Sequence, residues 1–228
     1  MMPWPPDLNV RKIVPELLDS APQNEMAANL NDLQRINRFF GGRQTLRSVL
    51  RPLLRPGLTI LDIGAASADH AAGLAGARVI SLDLSESHLR HGRGPRVAAD
   101  AFALPFAPRS FDLVMANLFL HHFENDAIVR LLRSFASVAR IGVIVNDLER
   151  SRLAWCFLPL TAPVLGWNRI TLHDGPVSVA AGFRPPELAE LFAAAGLTGA
   201  TVRRHHPWFR LSAVWLAQGA LPHIDKTK

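Results

Sequence analysis

Four polar side chains stand at the ends of four apolar segments that resemble β-strands. They are Asp62, Asp83, Asp100 and Asn117. If these strands are parallel neighbours, the side chains meet at the carboxyl edge of one sheet, where open α/β sheets bind their ligands. A single strand-ending aspartate often only caps a helix or forms a turn. Four of them at one edge favour a binding site.

The separation of the first two acids along the chain indicates the kind of ligand. Asp83 follows Asp62 by 21 residues. A carboxylate about 20 residues past a tight glycine turn is placed to accept hydrogen bonds from a ribose diol. The turn contains Gly64, where the backbone can pass close to a ligand. It does not have the Gly-x-Gly-x-x-Gly pattern that holds a pyrophosphate, so a dinucleotide is disfavoured.

Three histidines are candidates for proton transfer, because imidazole can take up a proton near neutral pH. His121 and His122 follow the fourth predicted strand, and His173 lies in "LHDGP". The competing interpretations are a helix-capping or surface role for the first two and a turn at the third. In such a turn Asp174 would either hold the His173 tautomer or shape the backbone. No set of His, Cys or acidic residues has metal-ligand spacing, so no metal is predicted, and Cys156 is interpreted as buried packing.

The elements that position these residues follow from the hydrophobic periodicity. Five apolar strands alternate with helical stretches, and an antiparallel pair closes the series. This pattern predicts an α/β fold with a doubly wound, mostly parallel seven-stranded sheet. The predicted strands are "LTILDIG", "ARVISLDLS", "PRVAAD", "FDLVMAN", "IGVIVND", "TGATVRRHH" and "FRLSAVWLA". The helices predicted between them are 69–75, 86–91, "ENDAIVRLLRSFASVAR" and "RPPELAELFAAAGL".

Two segments are predicted as additions to this sheet. Residues 1–54 form an N-terminal helical extension, with helices in "NVRKIVPELLDS", "NEMAANLNDLQRINRFF" and "RQTLRSVLRPLL". Residues 55–228 form the main domain, and 151–182 are a cap insertion after strand five. The cap contains the apolar run 153–167, "LAWCFLPLTAPVLGW". This run is shorter than the roughly 20 residues of a membrane span.

Composition and charge restrict the class of partner. The chain has 228 residues, one cysteine and a net charge of +6. A lone cysteine excludes an internal disulfide framework, and the first residues do not resemble a signal peptide, so a cytoplasmic location is expected. The arginines are scattered, tyrosine is absent and aromatic residues are 7% of the chain, so nucleic acid is not the expected partner. The basic surface is compatible with peripheral contact with acidic lipid. A monomer and a homodimer both remain open.

Together these motifs resemble those of the class I S-adenosylmethionine-dependent methyltransferases. "ILDIGAASAD" is similar to the first motif of that family, and "VISLDLS" to its second strand with the ribose-binding acid. "AADAFALPFAPRSFDLVMANLFLHHF" is similar to the adenine-binding turn and fourth strand. The resemblance extends over 58–216 and is strongest to the small-molecule branch associated with quinones or type III polyketides, which "LQRINRFFGG" and "HDGPVSV" also resemble. It implies a Rossmann-like sheet.

The resemblance also implies a cofactor, S-adenosyl-L-methionine, and the residues that hold it. Asp62 and the following turn would approach the methionine part, Asp83 would take the ribose hydroxyls, and Asp100 would take the adenine amine. Asn117 would start the segment that passes under the sulfonium. The implied cofactor residues are Asp62, Gly64, Ala65, Asp83, Leu84, Asp100, Ala101 and Asn117.

Two departures from the family's first motif bear on whether the site works. Ala66 and Ala68 stand where the family has its second and third glycines. Alanine is expected to forbid the positive φ that glycine adopts at little cost. The motif therefore fits either a working site with an altered turn or a fold that has lost its ligand.

Three functions follow from these observations. The favoured one is methyl transfer to a small lipophilic acceptor, a phenol, resorcinol or quinol hydroxyl, with O-methylation favoured over C-methylation. The acceptor would lie under a lid built from 153–167 and the N-terminal helices, with His173 as proton acceptor. The second is an RNA or protein methyltransferase, which the charge of +6 suggests but no Asn-Pro-Pro-Tyr-type motif or added binding domain supports. The third is a non-catalytic partner protein, suggested by Ala66 and Ala68.

Overall fold

The predicted sheet is confirmed in a computed structural model that describes residues 7–66, 74, 76–90, 92 and 94–219. Seven strands form one sheet in the order β3-β2-β1-β4-β5-β7-β6. Strands β1 to β5 are mutually parallel, and β7 runs antiparallel to both β5 and β6. The strands are β1 Thr59–Ile63, β2 Arg78–Asp83, β3 Arg96–Ala98, β4 Phe111–Asn117, β5 Ala139–Leu148, β6 Thr201–His205 and β7 Arg210–Leu216.

Helices cover both faces of this sheet. The α-helices are α1 Gln23–Phe39, α2 Gly42–Leu50, α3 Glu86–Leu89, α4 Asn125–Val138, α5 Arg152–Leu165, α6 Arg169–Ala181 and α7 Pro185–Ala194. Short 3-10 helices occupy Leu17–Ser20 and Leu120–His122. The helix predicted at 69–75 falls almost entirely outside the described residues. No helix in the described part of the chain is long and apolar enough to cross a bilayer.

The central strands are buried on both faces because apolar side chains alternate between two cores. Leu61 of β1 belongs to the core that Phe135 of α4 and Phe192 of α7 complete. Its neighbour Ile60 points to the other core, where Leu50 of α2 packs. These two layers hold the carboxyl ends of the strands in fixed positions.

The helix predicted in "NVRKIVPELLDS" is wrong. Residues 7–16 are not helical, and only Leu17–Ser20 forms a 3-10 turn. The backbone groups of this segment bond to the cap and to the strand ends instead. Arg150 donates from Nε to the Leu8 carbonyl at 3.0 Å, and the Lys12 amide donates to the Ala180 carbonyl at 3.1 Å. Pro15 has no amide hydrogen for a helical bond, which further disfavours a helix here.

Residues 151–182, which the sequence predicts as a cap insertion, contain helices α5 and α6 after β5. The turn interpretation of "HDGP" is wrong, because residues 173–176 lie inside α6. Asn168 caps this helix by accepting from the Thr171 amide at 2.9 Å. The inner face of α5 packs through Trp155 against Leu8 and Val179. Apolar residues of the predicted lid thus form a small core with the N-terminal segment.

Candidate functional site

The strand-ending residues meet at the carboxyl edge of the sheet. Asp62 in β1 and Asn117 in β4 are buried there, while Asp83 at the end of β2 is partly buried and Asp100 is exposed. The Asn117 side chain accepts a hydrogen bond from Asn146 of β5 at 2.6 Å. This common edge is the cleft where a doubly wound sheet binds its ligand.

The turn after β1 is tightly packed. Gly64 has φ +66°, and a Cβ atom at this position would overlap the ring of Phe119. The Ala65 amide donates to the Leu82 carbonyl at 3.0 Å, which ties the turn to β2. Glycine is therefore required at 64 for both its backbone conformation and its small size.

Ala66 contradicts the expectation that alanine forbids a positive φ in this turn. It adopts φ +45°, and its amide donates to the Asp83 Oδ2 atom at 2.9 Å. The other oxygen of Asp83 accepts from the Ser85 amide at 2.9 Å. A carboxylate has about four acceptor positions, so Asp83 can hold the turn and still accept from a ribose. The second departure, Ala68, lies outside the described residues.

We expect Ala66→Gly to stabilise the protein by about 0.5–1 kcal/mol, because it removes the strain of a left-handed alanine. Gly57 offers the reverse control. It has φ +81°, and a Cβ atom at this position would meet only open space, so Gly57→Ala should destabilise by a similar amount. Thermal unfolding of both variants checks this prediction. A destabilised Ala66→Gly variant would show that the left-handed conformation is absent in solution.

Asp62 has an unusual electrostatic environment. Its side chain is fully buried, and neither carboxylate oxygen has a hydrogen-bond partner among the described residues. Burial and, to a smaller extent, the charge of Asp83 raise the pKa of Asp62 from 3.8 to about 8. A cationic ligand group at this edge would favour the ionised form of Asp62 and lower its pKa again.

Exposed apolar side chains flank the positions implied for ribose and adenine. Leu84, directly after Asp83, is 77% exposed, and Phe102 is 41% exposed. The Phe102 amide donates to Asp100 Oδ1 at 2.9 Å, while Ala101 beside it is buried. Large apolar groups left in water beside a cleft suit a flat aromatic ligand such as adenine. Phe102 was not identified in the sequence, although it adjoins the predicted pair Asp100–Ala101.

Two of the three candidate histidines lie together, shortly after Phe119, whose ring lies against Gly64. His121 is buried, and its Nδ1 donates to Asp147 Oδ1 at 2.7 Å. The other oxygen of Asp147 accepts from the Leu120 and His121 amides at 3.0 and 3.3 Å. Burial favours protonation of Asp147, but His121 and a hydrogen bond from the Leu148 amide at 2.8 Å outweigh it and lower the pKa of Asp147. The carboxylate thus fixes the orientation of His121 and leaves its Nε2 as an acceptor.

His122 and Glu16 complete a polar cluster with His121. One side-chain N or O atom of each of the three residues lies within 4.8 Å of the others. The His121 and His122 rings are 4.1 Å apart. Burial and the neighbouring His121 lower the pKa of His122; since its side chain is also exposed to solvent, water offsets part of this shift. Ser178 of α6 hydrogen-bonds to Glu16 and holds it in place.

Glu16 and Asp147 were missed as site residues in the sequence. Asp147 follows the pattern of the other strand ends, because "IGVIVND" closes strand five with an acid. Glu16 carried no signal, since it lies 105 residues before His121 and in a segment predicted as a helix. The spacing of the cluster would accommodate a cation. However, Arg11 places its guanidinium 3.4 Å from the His121 carbonyl, and this positive charge disfavours a metal.

His173 is not part of this cluster. Its side chain is 40% exposed, and its Nδ1 bonds to Asp174 Oδ1 at 2.8 Å. Asp174 also accepts from the Leu17 and Leu18 amides at 2.8 and 3.0 Å. Asp174 therefore anchors the N-terminal segment to α6.

Known proteins with similar sequences and folds include several methyltransferases. A family model described as "Methyltransferase domain" matches residues 61–145. Demethylmenaquinone methyltransferase from Roseiflexus sp. strain RS-1 is 30% identical over 166 residues, which cover 63% of this chain and 69% of that protein.

Solved structures show the same fold. Magnesium protoporphyrin IX methyltransferase from Synechocystis PCC 6803, with bound S-adenosylhomocysteine (SAH), has a TM-score of 0.59 at 16% identity, covering 88% of this chain and 97% of that one. Burkholderia thailandensis 1,6-didemethyltoxoflavin-N1-methyltransferase has a TM-score of 0.56 at 22% identity, covering 91% and 93%.

Proposed function

Because the chain belongs to the class I S-adenosylmethionine-dependent methyltransferases, of the quinone and small-molecule branch, we propose that it methylates a hydroxyl group of a small lipophilic phenol, resorcinol or quinol. The observation that carries this proposal is the Glu16–His121–His122 cluster, whose histidines follow shortly after Phe119, the residue with its ring against Gly64. The name of the Roseiflexus relative supports a quinol-type acceptor.

The described residues suit S-adenosylmethionine, which supplies an already activated methyl group. Asp62 provides a buried carboxyl group without a described partner, and a positively charged ligand group would favour its ionised form. Gly64 provides a turn without a side chain, and Leu84 and Phe102 provide apolar surface for adenine. We therefore assign the ribose to Asp83, as the sequence motif implied. The protein's main task is then to align the acceptor oxygen with the methyl group.

The polar cluster is proposed to receive the acceptor's proton. A phenol has an ordinary pKa of about 10, so it gains nucleophilicity when a base removes its proton. His122 is the exposed histidine of the cluster, and its lowered pKa keeps the ring unprotonated at neutral pH. His121, oriented by Asp147, and Glu16 would position His122 and stabilise the imidazolium that forms. We therefore propose His122, rather than His173, as the first candidate for the base.

Aromatic side chains beside the cluster support an apolar acceptor. The rings of Phe119 and Phe123 are 4.9 Å apart, and those of Phe102 and Phe123 are 5.5 Å apart. Small-molecule sites are typically apolar with a few placed polar groups, and this combination matches one hydroxyl on a lipophilic ring. Oxygen is proposed as the methylated atom because the cluster offers proton acceptors.

Asp83→Ala is expected to weaken S-adenosylmethionine binding by about 1.5–3 kcal/mol, or tenfold to a hundredfold, because the ribose diol loses a charged acceptor. Glu86→Ala is the matched control, since Glu86 is exposed on α3 and pairs only with Arg90 among the described residues. Calorimetry measures both affinities. Unchanged affinity in Asp83→Ala would remove this residue from the site.

The acceptor class is tested by incubating the protein with labelled cofactor and a panel of long-chain resorcinols and hydroquinones. We expect methyl transfer to oxygen, identified by mass spectrometry and NMR of the product. Methylation of only polar small molecules, protein or RNA would contradict the proposed acceptor. Cofactor binding without transfer to any member of a wide panel would favour a non-catalytic role.

A further inference from the structure

The cap helix α5 exposes a row of large apolar side chains. Leu153, Leu160 and Val164 are 73%, 75% and 86% exposed. With about 3.6 residues per turn, these three positions lie within about 40° of each other around the helix axis. We call them the outer face of α5. The opposite side, with Trp155 and Leu158, is buried.

The exposed apolar surface of α5 extends beyond these three side chains. Pro159 and Pro163 are also exposed on α5, and no charged residue occurs between Arg152 and Arg169. Exposed apolar side chains scattered singly are ordinary, but several on one helix face mark an interaction surface. With 14 residues, α5 is too short to span a bilayer, but it can lie along the surface of one.

Positive charge borders the outer face. The C-terminal half of α1 packs beside α5, because Arg35 donates to the Leu165 carbonyl at 3.0 Å and Phe40 contacts Phe157 at 4.9 Å between ring centroids. Arg38 and Phe39 are exposed at this end of α1. Arg38 and Arg152 form no ion pair with any described residue.

The sequence near this face contains arginine without compensating acids. From residue 33 to residue 61 there is no Asp or Glu. The same stretch contains Arg38 and Arg43, which line one pocket together with Phe39 at this end of α1. The two acids of α1 are already paired, Asp32 with Arg35 and Glu25 with Arg169. The surface therefore has an excess of positive charge next to exposed apolar groups.

From this combination we infer that the outer face of α5 and the adjoining arginines dock the protein on an anionic lipid bilayer. Apolar side chains at the headgroup boundary, combined with cations facing acidic lipids, are the pattern of interfacial helices. A second copy of the chain fits less well, because two such faces would bring like-charged arginines together. The cap follows the carboxyl end of β5, so the docked surface lies on the same side of the sheet as the candidate site.

Vesicle flotation tests this docking without cofactor or acceptor, so its outcome is separate from that of the proposed function. We expect the protein to float with vesicles that mix phosphatidylcholine and phosphatidylglycerol, and at least tenfold less with phosphatidylcholine alone. The combined variant Leu153→Ser, Leu160→Ser and Val164→Ser should lose at least tenfold in partitioning while unfolding thermally as the wild type does. These side chains are exposed, so their replacement does not open the core.

Charge-matched variants test whether flotation depends on the arginines beside α5 or only on the net charge of the protein. Arg38→Gln with Arg152→Gln should reduce flotation severalfold. Arg78→Gln with Arg109→Gln removes the same charge at the amino ends of β2 and β4, opposite the cap, and should leave flotation unchanged. Equal losses in both pairs would overturn the proposed face. So would wild-type protein that does not float, or a dimer in solution that only the serine variant converts to a monomer.

Discussion

Asp62→Asn is expected to make the unliganded protein more stable at pH 8 while removing most of its affinity for S-adenosylmethionine. Asp62 is fully buried without a described hydrogen-bond partner, so its ionised form is disfavoured in the folded state. Asparagine keeps the shape and removes the charge. We expect a gain of about 3–5 kcal/mol in the free energy of unfolding and a loss of at least tenfold in cofactor affinity.

The pH dependence of this gain follows from the raised pKa. The folded protein holds a proton on Asp62 up to about pH 8, whereas the unfolded chain releases it near its ordinary pKa of about 4. Wild-type stability therefore falls as pH rises from about 4 to about 8, and the advantage of Asp62→Asn grows over the same interval. Below about pH 4 the two proteins should unfold alike.

Asp112→Asn is the control, because the same substitution should have the opposite sign. Asp112 accepts from the Thr59 amide at 2.8 Å and pairs with Arg140 at 3.2 Å. Although desolvation opposes them, these partners lower the pKa of Asp112, so its replacement should destabilise the protein near neutral pH and leave cofactor affinity unchanged. Denaturant unfolding at several pH values and calorimetry measure both effects. If Asp62→Asn is destabilising at pH 8, Asp62 has a partner or a charge state other than the one inferred.

His122→Gln is expected to lower kcat by about 10²–10⁴-fold at saturating cofactor, the usual loss when a positioned base is removed. The cofactor affinity should stay unchanged, because none of the residues assigned to the cofactor belongs to the Glu16–His121–His122 cluster. Glu16→Gln should give a smaller loss, since Glu16 acts through the histidines. In the wild type, the fall of kcat at acid pH should occur below about pH 6.5, the ordinary value for histidine, because the pKa of His122 is lowered.

His173→Gln is the matched comparison for this prediction. His173 is outside the cluster, so the variant should keep most of the wild-type turnover. The opposite ranking, with His173→Gln inactive and His122→Gln active, would return the role of base to His173. Treatment with a chelator should leave turnover unchanged, and activity restored by added divalent metal would show that the cluster is a metal site.

Much of the sheet could be predicted from the sequence because the apolar pattern that defines each strand and helix lies within a short stretch of residues. Alternating strands and helices fix the parallel order, and parallel strands bring their carboxyl ends to one edge. The placement of Asp62, Asp83 and Asn117 at that edge follows from the pattern alone. The same holds for the glycine requirement at Gly64, where a short turn must join a strand to the next element.

Contacts between distant segments set the remaining features, and no local pattern encodes them. Val10, Ile13 and Val14 have helical spacing, but their segment is not helical because its backbone forms hydrogen bonds with Arg150 and Ala180. Ala66 takes a left-handed conformation because the carboxylate of Asp83 holds its amide. Glu16 reaches His121 and His122 only through the path of the N-terminal segment across α6. The apolar run 153–167 gave no sign of which side faces inward, since burial against Leu8 and Val179 divides α5 into a packed face and an exposed one.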